Sequence, residues 1–172
     1  MSPFIDNVRI TVRSGAGGDG AVSFRREKGV PKGGPDGGRG GSGGRVVVRG
    51  NSHLSTLSGF RRKREFTAER GQNGRGKDMY GRKGKDTIIE VPVGTEVWVE
   101  ESGGPTLVAD LTDPEGEYVA VLGGKGGKGN ADFVSSTQQA PYIAEKGGRG
   151  QEQKILFELK LMADVGVIGK PN

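Results

Sequence analysis

With 172 residues and 18.0 kDa, the chain has room for one medium domain and at most the start of another. It has no cysteine and one histidine, His53, which excludes a disulfide framework, a thiolate metal site and a cysteine nucleophile. The formal charge is +5, only 31% of residues are hydrophobic and 34 are glycine, which excludes a conventional apolar core running through the whole chain.

Met1–Asp6 has neither the basic start nor the apolar run of a signal peptide, and no stretch approaches the about 20 apolar residues of a membrane helix. A cytoplasmic protein without a membrane span is expected. Val8–Val12 alternates as a strand does. Thirteen glycines then fall between Gly15 and Gly44. Arg45–Arg49 is a β-branched run, and Leu54, Leu57 and Phe60 give a single helical turn. A second glycine-rich stretch covers 71–84. Thr87–Val91 closes at Pro92, Glu96–Glu100 alternates, and Gly103-Gly104 turns the chain into Leu107–Ala109. Asp113-Pro114-Glu115-Gly116 turns it into Glu117–Leu122. Further glycines at 123–129 and 147–150 flank a loop, and Lys154–Met162 alternates again. Seven or so short strands separated by turns predict an antiparallel sandwich or barrel, with Trp98 in its core.

The glycines recur every third residue: Gly34, Gly37, Gly40, Gly43; Gly38, Gly41, Gly44; Gly71, Gly74; Gly81, Gly84; Gly124, Gly127; Gly126, Gly129; Gly147, Gly150. Three residues per turn is the period of the polyproline II helix, which has no internal hydrogen bonds. Glycines at that period leave one face without Cβ atoms, so backbones can meet and bond across it. Collagen would need an unbroken Gly-X-Y run rich in proline, and a disordered Arg-Gly tract would not alternate with strands. A bundle of polyproline II helices standing on β structure is therefore expected.

Charge is unevenly placed. Residues 1–86 hold 19 Lys and Arg against 8 Asp and Glu, whereas residues 87–172 hold 7 against 13. A basic half of this kind suits phosphate. Arg25, Lys28, Lys32, Arg75, Lys77, Arg82, Lys83 and Lys85 lie in the two long glycine-rich excursions and are the candidate RNA contacts; salt bridging of Arg25 and Arg26 to Glu27 or Asp19 is the competing role. Lys125 and Lys128 form a smaller cluster. The adjacent Glu100 and Glu101 project to opposite faces of a strand and cannot act as a carboxylate pair.

The chain closes on an apolar stretch running into Gly169-Lys170-Pro171-Asn172. A phosphate-binding loop, G-x-x-x-x-G-K-[ST], comes after a strand in this way, but its second glycine, lysine and hydroxyl residue would come later. Lys170 is not the motif lysine.

Several stretches together closely resemble the N-terminal domain of the Obg family of GTPases: Gly17–Gly20, Val22–Lys28, Pro31–Gly38, Ala68–Gly74, Val91–Thr95, Gly123–Asn130 and Ala163–Gly166. The resemblance implies an all-β Obg fold, a glycine-rich polyproline II bundle on an antiparallel eight-stranded β-barrel or sandwich with little α-helix. Its structural glycines would be Gly34, Gly37, Gly40, Gly43, Gly71, Gly74, Gly81, Gly84, Gly124 and Gly127. It implies an Obg domain over 1–160, and over 161–172 the truncated start of a P-loop GTPase domain in which Gly169, Lys170, Pro171 and Asn172 would open the nucleotide site. The parent protein would bind GTP or GDP with Mg²⁺, hydrolyse GTP slowly and respond to guanine nucleotides including alarmone. It would be a cytoplasmic monomer acting in large-subunit assembly and in growth and stress control.

By the same resemblance the glycine-rich domain mimics tRNA and docks its tip loops in the peptidyl transferase region of 23S rRNA. The third tip loop maps to Ser135–Tyr142, which has no cation. Arg39, where the family commonly has Asp, would make the first excursion more basic. The 172-residue chain itself has no catalytic residue or metal site and should not hydrolyse GTP. The alternatives are a module that binds a regulatory protein through Glu96, Glu100, Glu101, Glu115 and Glu117, and an unstructured Arg-Gly RNA binder.

Overall fold

A computed structural model describes residues 7–160. Eight strands form two sheets: β1 (Asn7–Arg13), β2 (Val46–Asn51), β3 (Glu65–Thr67), β4 (Thr87–Pro92), β5 (Thr95–Glu101), β6 (Gly104–Leu111), β7 (Glu117–Val121) and β8 (Glu152–Leu159). One sheet runs β3-β1-β8-β5-β6 and the other β4-β2-β7. No α-helix occurs among the described residues. The Leu54–Phe60 periodicity yields one 3-10 turn, Ser58–Arg61, and a second occurs at Asn130–Phe133.

Both sheets fill one core. Val8, Ile10 and Val12 of β1 alternate inward, as do Val46 and Val48 of β2 and Ile155 and Phe157 of β8, with Leu57 and Phe60 closing one side. The Phe60 ring lies 5.5 Å from that of Phe157 and 5.8 Å from that of Phe66. Trp98 is not in this core. On β5 the buried positions are Thr95, Val97 and Val99, so Trp98 faces the other way, half-buried, and its indole N–H donates to Glu96.

Six extended segments stand on the sheets: 14–21, 37–45, 69–75, 79–87, 123–130 and 145–151. They form three excursions that leave one strand and return to another: β1 to β2, β3 to β4 and β7 to β8. Segment 37–45 shows how they are held. The amides of Gly38, Gly41 and Gly44 donate to the carbonyls of Arg75, Gln72 and Glu69, and those of Gly40 and Gly43 donate to Gly127 and Gly124. In return, the amides of Ala21, Gly18 and Gly15 donate to the carbonyls of Gly38, Gly41 and Gly44. The amides of Gly81, Gly84 and Thr87 donate to Arg39, Ser42 and Arg45. Each neighbour is met at every third residue, which is the screw of a polyproline II helix bonded only to others. At the third position of the repeat the carbonyl still meets a neighbouring segment while a side chain is tolerated, and there Arg39, Ser42 and Arg45 are admitted. An ordered bundle of this kind is not an unstructured Arg-Gly tract.

The glycines serve contact here. A Cβ built on Gly40 would lie 1.9 Å from the Gly18 carbonyl oxygen, and one on Gly43 1.8 Å from that of Gly15. None of the bundle glycines has positive φ; among the described glycines that conformation occurs only at Gly29, Gly94 and Gly104. Gly37, Gly71, Gly74, Gly81, Gly84, Gly124 and Gly127 are equally blocked by backbone atoms of a neighbouring segment. Gly34 is different: nothing lies within 4 Å of its added Cβ, because it sits in the loop beyond the bundle, and its neighbour Gly33 packs on Arg25 instead.

The strand pairing departs from an all-antiparallel sheet in two places. β1 pairs parallel with β3, and β2 parallel with β4. The bundle accounts for this. β1 and β3 both feed outgoing segments, and 14–21 and 69–75 run side by side through the Gly71-to-Ala16 and Gly74-to-Asp19 bonds. β2 and β4 both receive returning ones.

Candidate nucleic-acid interface

The end of the bundle remote from the sheets is built from three loops: 22–36, 76–78 and 131–144. Loop 22–36 is a hairpin carrying isolated bridges Phe24–Pro35 and Glu27–Val30. Loop 76–78 is a tight turn in which Lys77 and Asp78 take φ of 60° and 56°, with the Asp78 amide donating to the Asp36 carbonyl. Asn130 ties the loops to the bundle. Fully buried, it accepts from the Gly37 and Ser23 amides through Oδ1 and donates from Nδ2 to the Ser23 and Pro141 carbonyls. The rings of Phe24 and Tyr142 meet at 4.7 Å and join the first loop to the third.

The predicted cations separate into two groups. Arg25, Lys28, Lys32, Arg75 and Lys77 lie at or next to the tip, and all five are exposed. Arg25 has only long ion pairs, 3.9 Å to Glu27 and 3.9 Å to Asp78, while Asp19 pairs with Arg70 at 3.6 Å. Exposed pairs at such distances hold a cation weakly. Arg82, Lys83 and Lys85 are exposed too but run down the flank of segment 79–87 toward the sheets. Lys83 reaches Asp86 at 3.7 Å, beside the bonds from Arg45. There the Arg45 amide donates to Asp86 Oδ1 and the guanidinium to Oδ2 at 3.0 and 3.1 Å. These bonds, the backbone one first, hold the Asp86 carboxyl below its ordinary value.

Arg39 does not add free positive charge. It forms a two-pronged pair with Asp132, Nε to Oδ2 at 2.8 Å and Nη2 to Oδ1 at 2.7 Å. That bond is the main cause that raises the Arg39 pKa and lowers that of Asp132. The Arg–Asp pairing spans 93 residues and is not apparent from local sequence. The third loop carries Gln138, Gln139 and Tyr142 without a cation. It contributes exposed apolar surface instead: Tyr142 is 76% and Ile143 53% exposed, with Tyr80 at 69% on the neighbouring segment.

On the sheets the acidic groups are mostly engaged: Glu96 with Lys160, Glu100 with Arg9 and Glu117 with Arg49. Among the described residues no helix is long and apolar enough to cross a membrane. Gly169, Lys170, Pro171 and Asn172 lie outside the described residues, as does the region 161–172 assigned to a second domain.

The match to known proteins covers nearly all of the chain. The family model described as GTP1/OBG matches residues 5–161. The chain is 49% identical to the GTPase Obg of Nitratidesulfovibrio vulgaris strain DP4 over 98% of its own length and 46% of the relative. It is 53% identical to that of Prosthecochloris aestuarii, covering 98% of this chain and 51% of the relative, and 54% identical to that of Thermosipho africanus, covering 98% and 38%. It therefore spans about half or less of the length of these relatives. A bundle of glycine-faced helices on two sheets and a match running from residue 5 to residue 161 leave one conclusion: the chain belongs to the GTP1/OBG family.

Proposed function

We propose that the chain is the RNA-docking part of a ribosome-associated GTPase, a monomer that seats its three-loop tip against phosphates of 23S rRNA in the peptidyl transferase region. The whole protein would bind GTP or GDP with Mg²⁺, hydrolyse GTP, and act in the cytoplasm in large-subunit assembly and its adjustment to growth and stress. Among the described residues no group of three or more His, Asp or Glu could hold a metal ion. Magnesium and nucleotide would be held by a phosphate-binding loop whose opening Gly169-Lys170-Pro171-Asn172 resembles.

The observation that carries this reading is the distribution of free cations. Lys28, Lys32, Arg75 and Lys77 stand exposed at the tip with no ion pair among the described residues, on a support braced by backbone hydrogen bonds. Cations so placed position a protein on phosphate rather than read sequence. The rigid support means that little ordering entropy is lost on docking. Of the five acidic groups offered for a protein partner, Glu100 and Glu117 pair with Arg9 and Arg49 and Glu96 lies 3.8 Å from Lys160, while Glu101 and Glu115 have no ion pair among the described residues.

Salt titration tests the reading. Binding of the chain to purified large subunits should weaken steeply as salt rises, log K falling by about 0.7–0.9 per log unit of salt for each phosphate contacted. A flat response overturns it. Replacing Arg25, Lys28, Lys32 and Lys77 together with Glu should abolish binding and leave thermal unfolding unchanged. Binding that survives this change returns the site to a protein partner.

A further inference from the structure

We propose that Arg61, Arg62 and Arg64 form a second phosphate-binding surface at the end of the molecule remote from the tip, so that RNA is held at two points. This deepens the docking role proposed above and rests on it. The run Arg61-Arg62-Lys63-Arg64 lies outside the glycine-rich excursions, at the end of the first 3-10 turn and in the link to β3. That link is anchored on both sides. Phe60 is buried in the core with its ring 5.8 Å from that of Phe66, and the Thr11 amide donates to the Arg64 carbonyl at 2.7 Å.

All four residues of the run are exposed, and none has an ion pair among the described residues. On the sheets, by contrast, Arg9 is paired with Glu100, Arg13 with Glu152, Arg45 with Asp86 and Arg49 with Glu117. Lys63 is held over the Phe66 ring, 4.9 Å from its centre. Arg61 and Arg64 instead converge on one cleft of about 290 Å³, with Asn7, Val8 and Arg9 in its wall. Among the described residues no acidic side chain lines that cleft, and its one apolar residue, Val8, is buried. The exposed Leu54 and Ile88 line a different groove, which holds Lys63 but none of the arginines.

The cleft thus offers guanidinium and amide donors and no exposed apolar anchor. A protein partner would need such an anchor, because exposed ion pairs alone contribute little. A phosphodiester chain does not. Its charged oxygens match the guanidinium fork and recur along the strand, which suits arginines set on a short braced link. Position adds to the argument. At about 3.3 Å per residue of β1 and about 3.1 Å per residue of segment 14–21, the cleft lies about 40 Å from the tip. Charge is screened over about 8 Å at physiological salt. These arginines therefore cannot act through the field at the tip and must meet phosphates of their own.

The test uses the 172-residue chain and purified large ribosomal subunits. Replacing Arg61, Arg62 and Arg64 together with Gln, and keeping Lys63 on its ring, should weaken binding about tenfold at physiological salt. It should also lower the slope of log K against log salt by about 0.7–0.9 for each phosphate released. Thermal unfolding should not change, and Lys at the three positions should restore most of the slope. The chain has no cysteine, so a single introduced thiol can carry an iron chelate that cleaves nearby RNA through hydroxyl radicals. Gly59→Cys places the chelate beside the run and Gly34→Cys places it at the tip, both where an added Cβ meets nothing within 4 Å. Each should cut 23S rRNA, at separate sites. An unchanged salt slope in the triple variant overturns the second point and leaves tip docking intact. Cuts from Gly34→Cys alone overturn the assignment to RNA, and a ribosomal protein is then the partner if the triple variant still loses affinity. No cuts from either position, with binding indifferent to salt, overturn the docking role itself.

Discussion

The glycine bundle and the β half are held by opposite means. In the sheets, side chains supply the cohesion: Val12, Val46, Ile155 and Phe157 are 0% exposed and interdigitate as in any close-packed core. In the bundle there is almost no side chain to pack. Carbonyl oxygens rest where Cβ atoms would be, and cohesion comes from hydrogen bonds between segments and from Cα–H···O contacts. Deleting side-chain atoms should hurt one half, and adding a single methyl should hurt the other.

Four changes test that contrast. The largest effect is expected from Phe157→Ala, which empties the centre of the shared core next to Phe60 and should cost about 3–5 kcal/mol in denaturant unfolding. A cost under about 1 kcal/mol would mean that the sheets are not organised around that ring. Next comes Gly40→Ala, whose methyl would sit 1.9 Å from the Gly18 carbonyl oxygen. Backbone atoms cannot step aside as a side chain can, so a loss of about 3 kcal/mol is expected, the upper range for overpacking. Gly34→Ala and Gly103→Ala, where an added Cβ meets nothing within 4 Å, should stay within about 0.5 kcal/mol and serve as controls. Equal melting of Gly40→Ala and Gly34→Ala would refute the close packing of the bundle.

Asn130→Ala sharpens the comparison at a place where the bundle depends on a fully buried side chain. It strips partners from the Gly37 amide and from the Ser23 and Pro141 carbonyls. About 2–3 kcal/mol should be lost, with hydrogen exchange quickening at the tip before it does at the sheets. Uniform quickening across the molecule would show that the tip has no separate stability.

The smallest effect concerns pH. The Asp86 and Asp132 carboxyls are held below their ordinary value of 3.8, Asp86 chiefly by the Arg45 amide and Asp132 chiefly by the Arg39 guanidinium. A group whose pKa is depressed on folding adds stability in full above its unfolded value, and that stability is lost as pH falls through the folded one. Melting temperature should therefore slip modestly below about pH 4, and Asp86→Asn should flatten part of that slope. An unaltered acid slope in Asp86→Asn would mean that this clamp adds nothing to the junction between bundle and sheets.

Much of this architecture can be read along the chain because its rules are local. A methyl-free face every third residue and an apolar face every second one are properties of short windows, so the bundle glycines and seven of the strands are legible. Strand β3, three residues long with no inward-facing run, leaves no such pattern, and its place is set by pairing with β1. The alternation around Trp98 is clear, but its phase is not, since an aromatic residue suits either face of a half-buried strand.

The tip is legible as a cationic cluster and illegible as a site. Arg39 and Asp132 stand 93 residues apart, and their pairing decides that Arg39 is not part of the positive surface. Gly34 carries the same spacing as Gly37 yet lies beyond the last contact of the bundle. Asp36 sits in a glycine-rich run whose spacing says nothing of its side chain, and only the approach of loop 76–78 buries it without a donor. The sequence by itself determined which faces could meet and where charge would gather. The tertiary structure alone decided which charges cancel, which two strand pairs run parallel and which carboxylate oxygen is buried without a donor, because each depends on segments brought together across long stretches of chain.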